Sequence, residues 1–104
     1  APGLQLLVED NWVDISTTDN LAVMNTGLML ETLTNGLIPA GIHRVVAETG
    51  TTADRYSIVQ FCHPRRETIL SPLPTCITQE RPLAYPSQMS ADALAEVLHA
   101  INLT

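Results

Sequence analysis

Asn35-Gly36-Leu37-Ile38-Pro39-Ala40-Gly41-Ile42-His43-Arg44-Val45-Val46, followed after a polar interval by Arg55-Tyr56-Ser57-Ile58-Val59-Gln60-Phe61, decides how this chain reads. Each stretch patterns as a β-strand, and each carries a polar group where a strand normally buries an apolar one. Side chains alternate with period 2 along a strand, so His43, Val45 and Ala47 share a face, as do Arg55, Ser57, Val59 and Phe61. Arg and Ser at i, i+2 can grip one carboxylate, the Arg through its planar fork and the Ser through its hydroxyl. A neutral imidazole nearby can ligate a metal. Blander readings stand beside these. His43 can be a hydrogen-bonded histidine on a half-buried strand, and Arg55 can pair at the surface with Asp54 or Glu48. The alternation after Arg55 turns it inward, where an unpaired charge is costly and a ligand carboxylate would relieve the cost.

Outward from these segments, turn residues divide the chain. Residues 4–8 and 12–15 read as strands around a turn at Asp10-Asn11. A second turn falls at Asp19-Asn20. Residues 21–25 are apolar enough for a strand covered on both faces. Residues 28–33 suit a short helix stopped at Asn35-Gly36. Residues 42–47 form the histidine strand, 48–54 a polar loop and 55–62 the last strand. Pro64, Pro72, Pro74, Pro82 and Pro86 then exclude regular structure and predict an extended wrap. Ser90 is placed to cap a C-terminal helix, with Asp92 in its first turn and an apolar stripe of Ala93, Leu94, Val97, Leu98 and Ile101.

The 104 residues fit one domain, 45% hydrophobic and 15% charged, so a folded core of marginal stability is expected. The net charge of −6, with five Lys and Arg and no basic run, argues against nucleic-acid and anionic-membrane binding. No apolar run is long enough to span a bilayer, and no signal-peptide pattern opens the sequence. Cys62 and Cys76 lack C-x-x-C spacing and read as free thiols of a cytoplasmic protein. The pattern is mainly β, with a short internal helix and a C-terminal one. Alternation and turn spacing leave sandwich and barrel equally open.

The ordered motifs resemble the C-terminal half of the Fe(II)- and 2-oxoglutarate-dependent oxygenases of the isopenicillin N synthase type, the plant dioxygenases among them. Gly3-Leu4-Gln5-Leu6 with Trp12-Val13-Asp14-Ile15 is similar to that family's hairpin. Val23-Met24-Asn25-Thr26-Gly27 and Leu30-Glu31-Thr32-Leu33-Thr34-Asn35-Gly36 are similar to its next stretch, and His-Arg-Val-Val and Arg-x-Ser follow in order. Leu28 departs from the family, which usually has Asp there. The resemblance implies a partial double-stranded β-helix, or jelly roll. Residues 1–64 would be the C-terminal half of its core, and 65–104 a proline-rich wrap and helix of the same domain.

The resemblance also implies roles. His43 would be the distal histidine of a two-His, one-carboxylate iron triad, and Arg55 and Ser57 would hold the far carboxylate of 2-oxoglutarate or, as in relatives without that cosubstrate, a substrate carboxylate or another acid; the sequence does not separate these cases. The family's other ligands are spaced His-x-Asp. Here His43 precedes Arg44-Val45, His63 precedes Pro64-Arg65 and His99 precedes Ala100-Ile101, so none has that spacing. The chain is therefore expected to be a fragment or truncated form of a small-molecule dioxygenase, with no catalytic residue of its own and no turnover alone. Binding of Fe(II) and 2-oxoglutarate would need the complete enzyme. The competing reading is a non-catalytic β module that pairs with another chain, and a homodimer through exposed half-barrel faces is its simplest form. Asn25, Tyr56 and Phe61 are candidates for the pocket or for ordinary turn and packing positions. Trp12 is expected in the core, and His63 and His99 in solvent.

Overall fold

A computed structural model describes residues 3–16, 20–47, 50 and 54–103. Its elements in chain order are β1 (Leu4–Val8), β2 (Asn11–Asp14), α1 (Leu28–Leu33), β3 (His43–Val45), β4 (Ile69–Leu70), a 3-10 turn (Pro74–Cys76), β5 (Gln88–Met89) and α2 (Ser90–Ala100). They fall into two compact units, each made of two stretches of chain: residues 1–25 with 41–60, and residues 26–40 with 61–104. Asp19 and most of the 48–54 loop lie outside the described residues.

The first unit is a three-stranded antiparallel sheet in the order β2-β1-β3. β1 and β2 meet at a two-residue turn, Glu9-Asp10, with φ of 48° and 67°. Two successive positive φ values are the geometry whose twist matches a hairpin. The turn lies one residue earlier than Asp10-Asn11, and Asn11 instead donates from its amide to the Glu9 carbonyl at 3.1 Å. β3 adds on the other side of β1, in register Leu6 with His43, Gln5 with Arg44 and Leu4 with Val45. Directly opposed residues share a face, so the register sorts the sheet. Gln5, Trp12, Asp14 and Arg44 lie on one side. Leu4, Leu6, Val13, His43 and Val45 lie on the other.

The polar face is tied across all three strands. Arg44 Nε donates to Gln5 Oε1 at 2.8 Å, and Gln5 Nε2 donates to Asp14 Oδ1 at 2.8 Å. The Arg44 guanidinium also stacks 4.0 Å from the Trp12 ring centre. Trp12 is therefore no core residue. It sits on the polar face, 37% exposed, as the platform of a cation–π pair.

Residues 21–25 and 55–62 carry no strand. Their alternation is real, but a strand exists only through ladder bonds, and among the described residues neither stretch joins a ladder. The covered third strand expected at 21–25 is instead open, with Met24 94% exposed.

The second unit is built around the end of α1. Asn35 (φ 53°) and Gly36 (φ 84°) turn the chain in left-handed geometry, and the Gly36 N–H bonds the Glu31 carbonyl at 2.8 Å. Asn35 is 2% exposed. Its amide donates to the carbonyls of Arg81 (3.2 Å) and Pro82 (3.0 Å), and its Oδ1 accepts from the Ala84 N–H at 2.9 Å. The proline-rich stretch is thus pinned by a side chain rather than by a ladder. It does hold short regular pieces. β4 pairs antiparallel with β5, and the 3-10 turn has Pro74 in its first turn, where a missing N–H costs nothing. Pro72 lies just beyond β4 and is compatible with its end.

α2 turns Ala93, Leu94, Val97 and Leu98 inward as half-buried residues, and Asp92 lies in its first turn. Ser90 is not its cap. Met89 occupies that position without a side-chain bond, and Ser90 is the buried first helical residue, donating to the Pro64 carbonyl at 3.4 Å. Leu70, Pro72 and Cys76 are buried in the same unit. Cys62 and Cys76 are free thiols, the first exposed and the second buried.

Candidate functional site

β3 presents His43 on the apolar face of the sheet, directly opposite Leu6 and beyond it Val13. The ring is exposed, with aliphatic neighbours along the strand pair. One ring nitrogen has its partner. His43 Nδ1 lies 2.8 Å from the carbonyl oxygen of Gly41. A carbonyl only accepts, so in the neutral ring Nδ1 carries the proton and Nε2 keeps its lone pair. That is the tautomer a metal-ligating histidine needs, with the second nitrogen anchored to backbone.

Asn25 reaches the same point. Its Nδ2 lies 3.1 Å from the Gly41 carbonyl and 3.2 Å from His43 Nδ1. Sequence reasoning held Asn25 only as a pocket candidate and passed over Gly41. Their meeting depends on a contact 16 residues apart, which alternation and turn spacing do not encode.

Arg55 and Ser57 lie in the stretch without ladder bonds and are exposed, as is His43. Arg55 Nε comes within 3.6 Å of the point where a Cβ on Gly3 would sit, and Val45 Cγ1 lies at the same distance from that point. The arginine therefore borders the end of β3, two residues along the strand from His43. Ser57 occupies the next alternate position after Arg55. Tyr56 is turned to solvent at 84% exposure, with its hydroxyl 3.2 Å from Asp54 Oδ2, and Phe61 is 78% exposed. His63 and His99 are exposed.

Among the described residues no three His, Cys, Asp or Glu side chains gather in a metal-binding group. His43 offers one nitrogen, and the described residues place no pair of further donors with it. The donor set of the described residues by itself does not fit a complete iron centre.

Comparison with known proteins defines the class first. The chain superposes on a crystal structure of a 2OG-Fe(II) oxygenase family protein from Caulobacter crescentus with a TM-score of 0.88 and 35% identity, over 96% of this chain and 34% of that one. It also follows the fold of a full-length Neurospora crassa protein, solved in complex with alpha-KG and 5-formyluracil, at a TM-score of 0.77 and 22% identity, over 95% of this chain and 33% of that one. The fold is that of the jelly-roll oxygenases, and the chain carries a partial copy of it.

The chain belongs to the 2OG-Fe(II) oxygenase superfamily, whose model matches residues 1–64. Fe(II) and 2-oxoglutarate are the cofactors of the complete family enzyme. Among curated relatives, 1-aminocyclopropane-1-carboxylate oxidase 1 of Oryza sativa subsp. japonica is 40% identical over 91 residues, 86% of this chain and 28% of the enzyme. The corresponding oxidase of Diospyros kaki is 40% identical over 78 residues, 75% of this chain and 24% of the enzyme. The chain thus spans about a quarter to a third of the proteins it matches.

Proposed function

We propose that this chain is the portion of a non-haem Fe(II)/2-oxoglutarate dioxygenase, acting on a small molecule, that supplies one iron ligand and the grip on the cosubstrate. His43 is the metal ligand of this reading, and Arg55 with Ser57 is the carboxylate clamp. Residues 1–64 would be the C-terminal half of the core, and 65–104 its wrap. The observation that carries the proposal is the His43 ring, on the apolar face of β3 with Nδ1 bonded to the Gly41 carbonyl and Nε2 keeping its lone pair. Family membership and the position of Arg55 at the end of the same strand support it. By their names, the 1-aminocyclopropane-1-carboxylate oxidases among the relatives act on a small carboxylic acid, consistent with a small-molecule substrate here.

The chemistry supplied by the bound cofactors is oxidation by O2 coupled to decarboxylation of the keto acid. The tasks of this chain are binding and orientation. His43 offers one nitrogen in a fixed tautomer. Arg55 and Ser57 would hold an acid by a charge-assisted pair plus a hydroxyl. No His in the sequence is followed at the second position by Asp or Glu. Turnover therefore needs donors from outside these 104 residues.

A graft tests the proposal. The matching third of the Caulobacter crescentus protein is replaced by this chain, and Fe(II) binding is measured anaerobically. The hybrid should bind iron, and His43→Ala within the graft should abolish binding while the circular dichroism is unchanged. Arg55→Gln should raise the 2-oxoglutarate concentration required by about 10-fold or more, the usual value of a hydrogen bond to a charged group. Iron binding unaffected by His43→Ala would overturn the assignment.

A second reading, a β module that closes against another chain, is favoured by one feature. Leu21, Val23, Met24, Ile58 and Val59 are all exposed apolar side chains, and Ile58 is fully so. Apolar surface of this kind, if contiguous, would suit an interface.

A further inference from the structure

We infer that Asn25 and Gly41 are positioning residues for His43: the Gly41 carbonyl fixes the imidazole tautomer, and the absent Gly41 side chain makes room for the Asn25 amide that braces that carbonyl and the ring.

Gly41 does not owe its identity to backbone freedom, since it is not among the residues with positive φ. Its reason is space. A Cβ built on Gly41 would lie 3.0 Å from Asn25 Cγ and 3.3 Å from Nδ2, and would overlap Asn25 Oδ1. Any side chain at this position displaces the amide. With glycine there, Asn25 Nδ2 donates to the Gly41 oxygen at 3.1 Å. His43 Nδ1 reaches the same oxygen at 2.8 Å. A carbonyl has two lone pairs and serves both donors.

The 3.2 Å approach of Asn25 Nδ2 to His43 Nδ1 is then a contact between two donors' nitrogens, held together by the acceptor they share. The alternative, Asn25 donating to a bare Nδ1, would leave the ring without a donor for the shorter of the two bonds. The carbonyl therefore decides the tautomer. The amide limits the swing of the ring and of the peptide that holds it.

This rests on the reading of His43 as a ligand only for its purpose; the geometry stands independently of it. An imidazole that can exchange tautomers presents its lone pair at Nε2 for part of the time. One whose Nδ1 is bonded to backbone presents it continuously, in one direction, on the apolar face of β3. Outer partners of this kind commonly hold metal-ligating histidines and change affinity by about 10- to 100-fold when removed. A rival account makes Asn25 a strut that closes the span between residues 25 and 41. On that account its loss lowers stability and leaves the ring alone.

The test is nitrogen-15 spectroscopy of histidine-labelled full chain at alkaline pH, where the ring is neutral. Two-bond correlations to the ring protons tell which nitrogen holds the lone pair. In the wild-type chain His43, bonded to the Gly41 carbonyl, should be wholly the Nδ1–H tautomer, while His63 and His99, exposed as His43 is, show exchanging mixtures. In Asn25→Ala and in Gly41→Ala, His43 should become a mixture while the amide spectrum elsewhere is retained. A wild-type His43 with its proton on Nε2 overturns the proposal without any variant, so it is testable even where a variant fails to fold. A pure Nδ1–H tautomer in both folded variants overturns it equally. Paramagnetic metal titration of the hybrid in which this chain replaces the matching third of the Caulobacter crescentus protein, wild type and variants, separates the two readings. Loss of the tautomer in the variants with no metal effect at wild-type His43 defeats the ligand reading alone. Metal binding at His43 with an unchanged tautomer in the variants defeats the positioning role alone.

Discussion

Gly3 adopts φ of +128°, and a Cβ there would meet the Val46 carbonyl oxygen at 2.6 Å. Its own carbonyl accepts the Val46 N–H at 2.8 Å, so the two residues close the end of the β1–β3 pair. Gly3→Ala meets both an unfavourable backbone region and a backbone clash. It should destabilise the sheet by about 1–3 kcal/mol, seen as a lower urea midpoint at unchanged slope. A variant as stable as wild type would contradict this geometry. Asn35 is the corresponding point of the second unit. Asn35→Ala strands two carbonyls and one N–H and gives up an easily adopted left-handed conformation. Unpaired buried groups at about 1–3 kcal/mol each make this the costliest single change expected. Asn35→Gly keeps the backbone freedom and loses only the bonds. It should recover a minor part of the loss, and a full recovery would show that the bonds matter little. Residue identity was partly legible here. Asn35-Gly36 announced a helix stop because that pair favours positive φ. The grip of Asn35 on residues 81–84 was not legible, because it joins positions 46 to 49 apart.

At the scale of elements, local signals and long-range signals separate cleanly. β1, β2, α1, β3 and α2 were readable, since each declares itself through alternation, a turn or an amphipathic stripe within a few residues. Residues 21–25 and 55–62 show the limit. Alternation says which side chains share a face, but only a partner makes a strand, and periodicity says nothing about the partner. Ser90 shows a smaller limit. Serine has the right chemistry for a cap, yet here it is buried against the Pro64 carbonyl and the helix starts on it. The second unit depends on few buried apolar residues, Leu70 foremost at 2% exposure. Leu70→Ala should cost about 2–5 kcal/mol, the usual range for a buried leucine. The loss should appear as faster amide exchange throughout α2. Exchange unchanged in α2 would show that Leu70 does not hold that unit together.

At the scale of the molecule, the excess of exposed apolar surface has a direct consequence. Leu21, Val23, Met24, Ile58 and Val59 face water in the single chain, and stretches without ladder partners invite pairing with a second copy. Sedimentation should give a concentration-dependent mass above 11.3 kDa. A clean monomer across the micromolar range would show that these surfaces need no cover. The dioxygenase reading proposed above has a chemical consequence: with no His-x-Asp or His-x-Glu in the sequence, metal-loaded chain alone should form no succinate with O2 uptake, and turnover with every second polypeptide excluded would contradict it. His43, Arg55 and Ser57 were legible as candidates because polar residues interrupt apolar alternation at strand spacing. The proximity of Arg55 to the end of β3 required the fold.

The central claim is that His43 and the Arg55–Ser57 pair serve one ligand set. It is tested most directly by adding substoichiometric Mn(II), a paramagnetic stand-in for Fe(II), to the histidine-labelled hybrid in which this chain replaces the matching third of the Caulobacter crescentus protein, with and without 2-oxoglutarate. A keto acid held by Arg55 and Ser57 would chelate the metal beside His43. Broadening of the His43 ring signals should therefore increase when 2-oxoglutarate is present, while broadening of His63 and His99 falls as the free acid sequesters metal. Arg55→Gln should remove the increase. Broadening at His43 that falls in parallel with that at His63 and His99 would contradict the account.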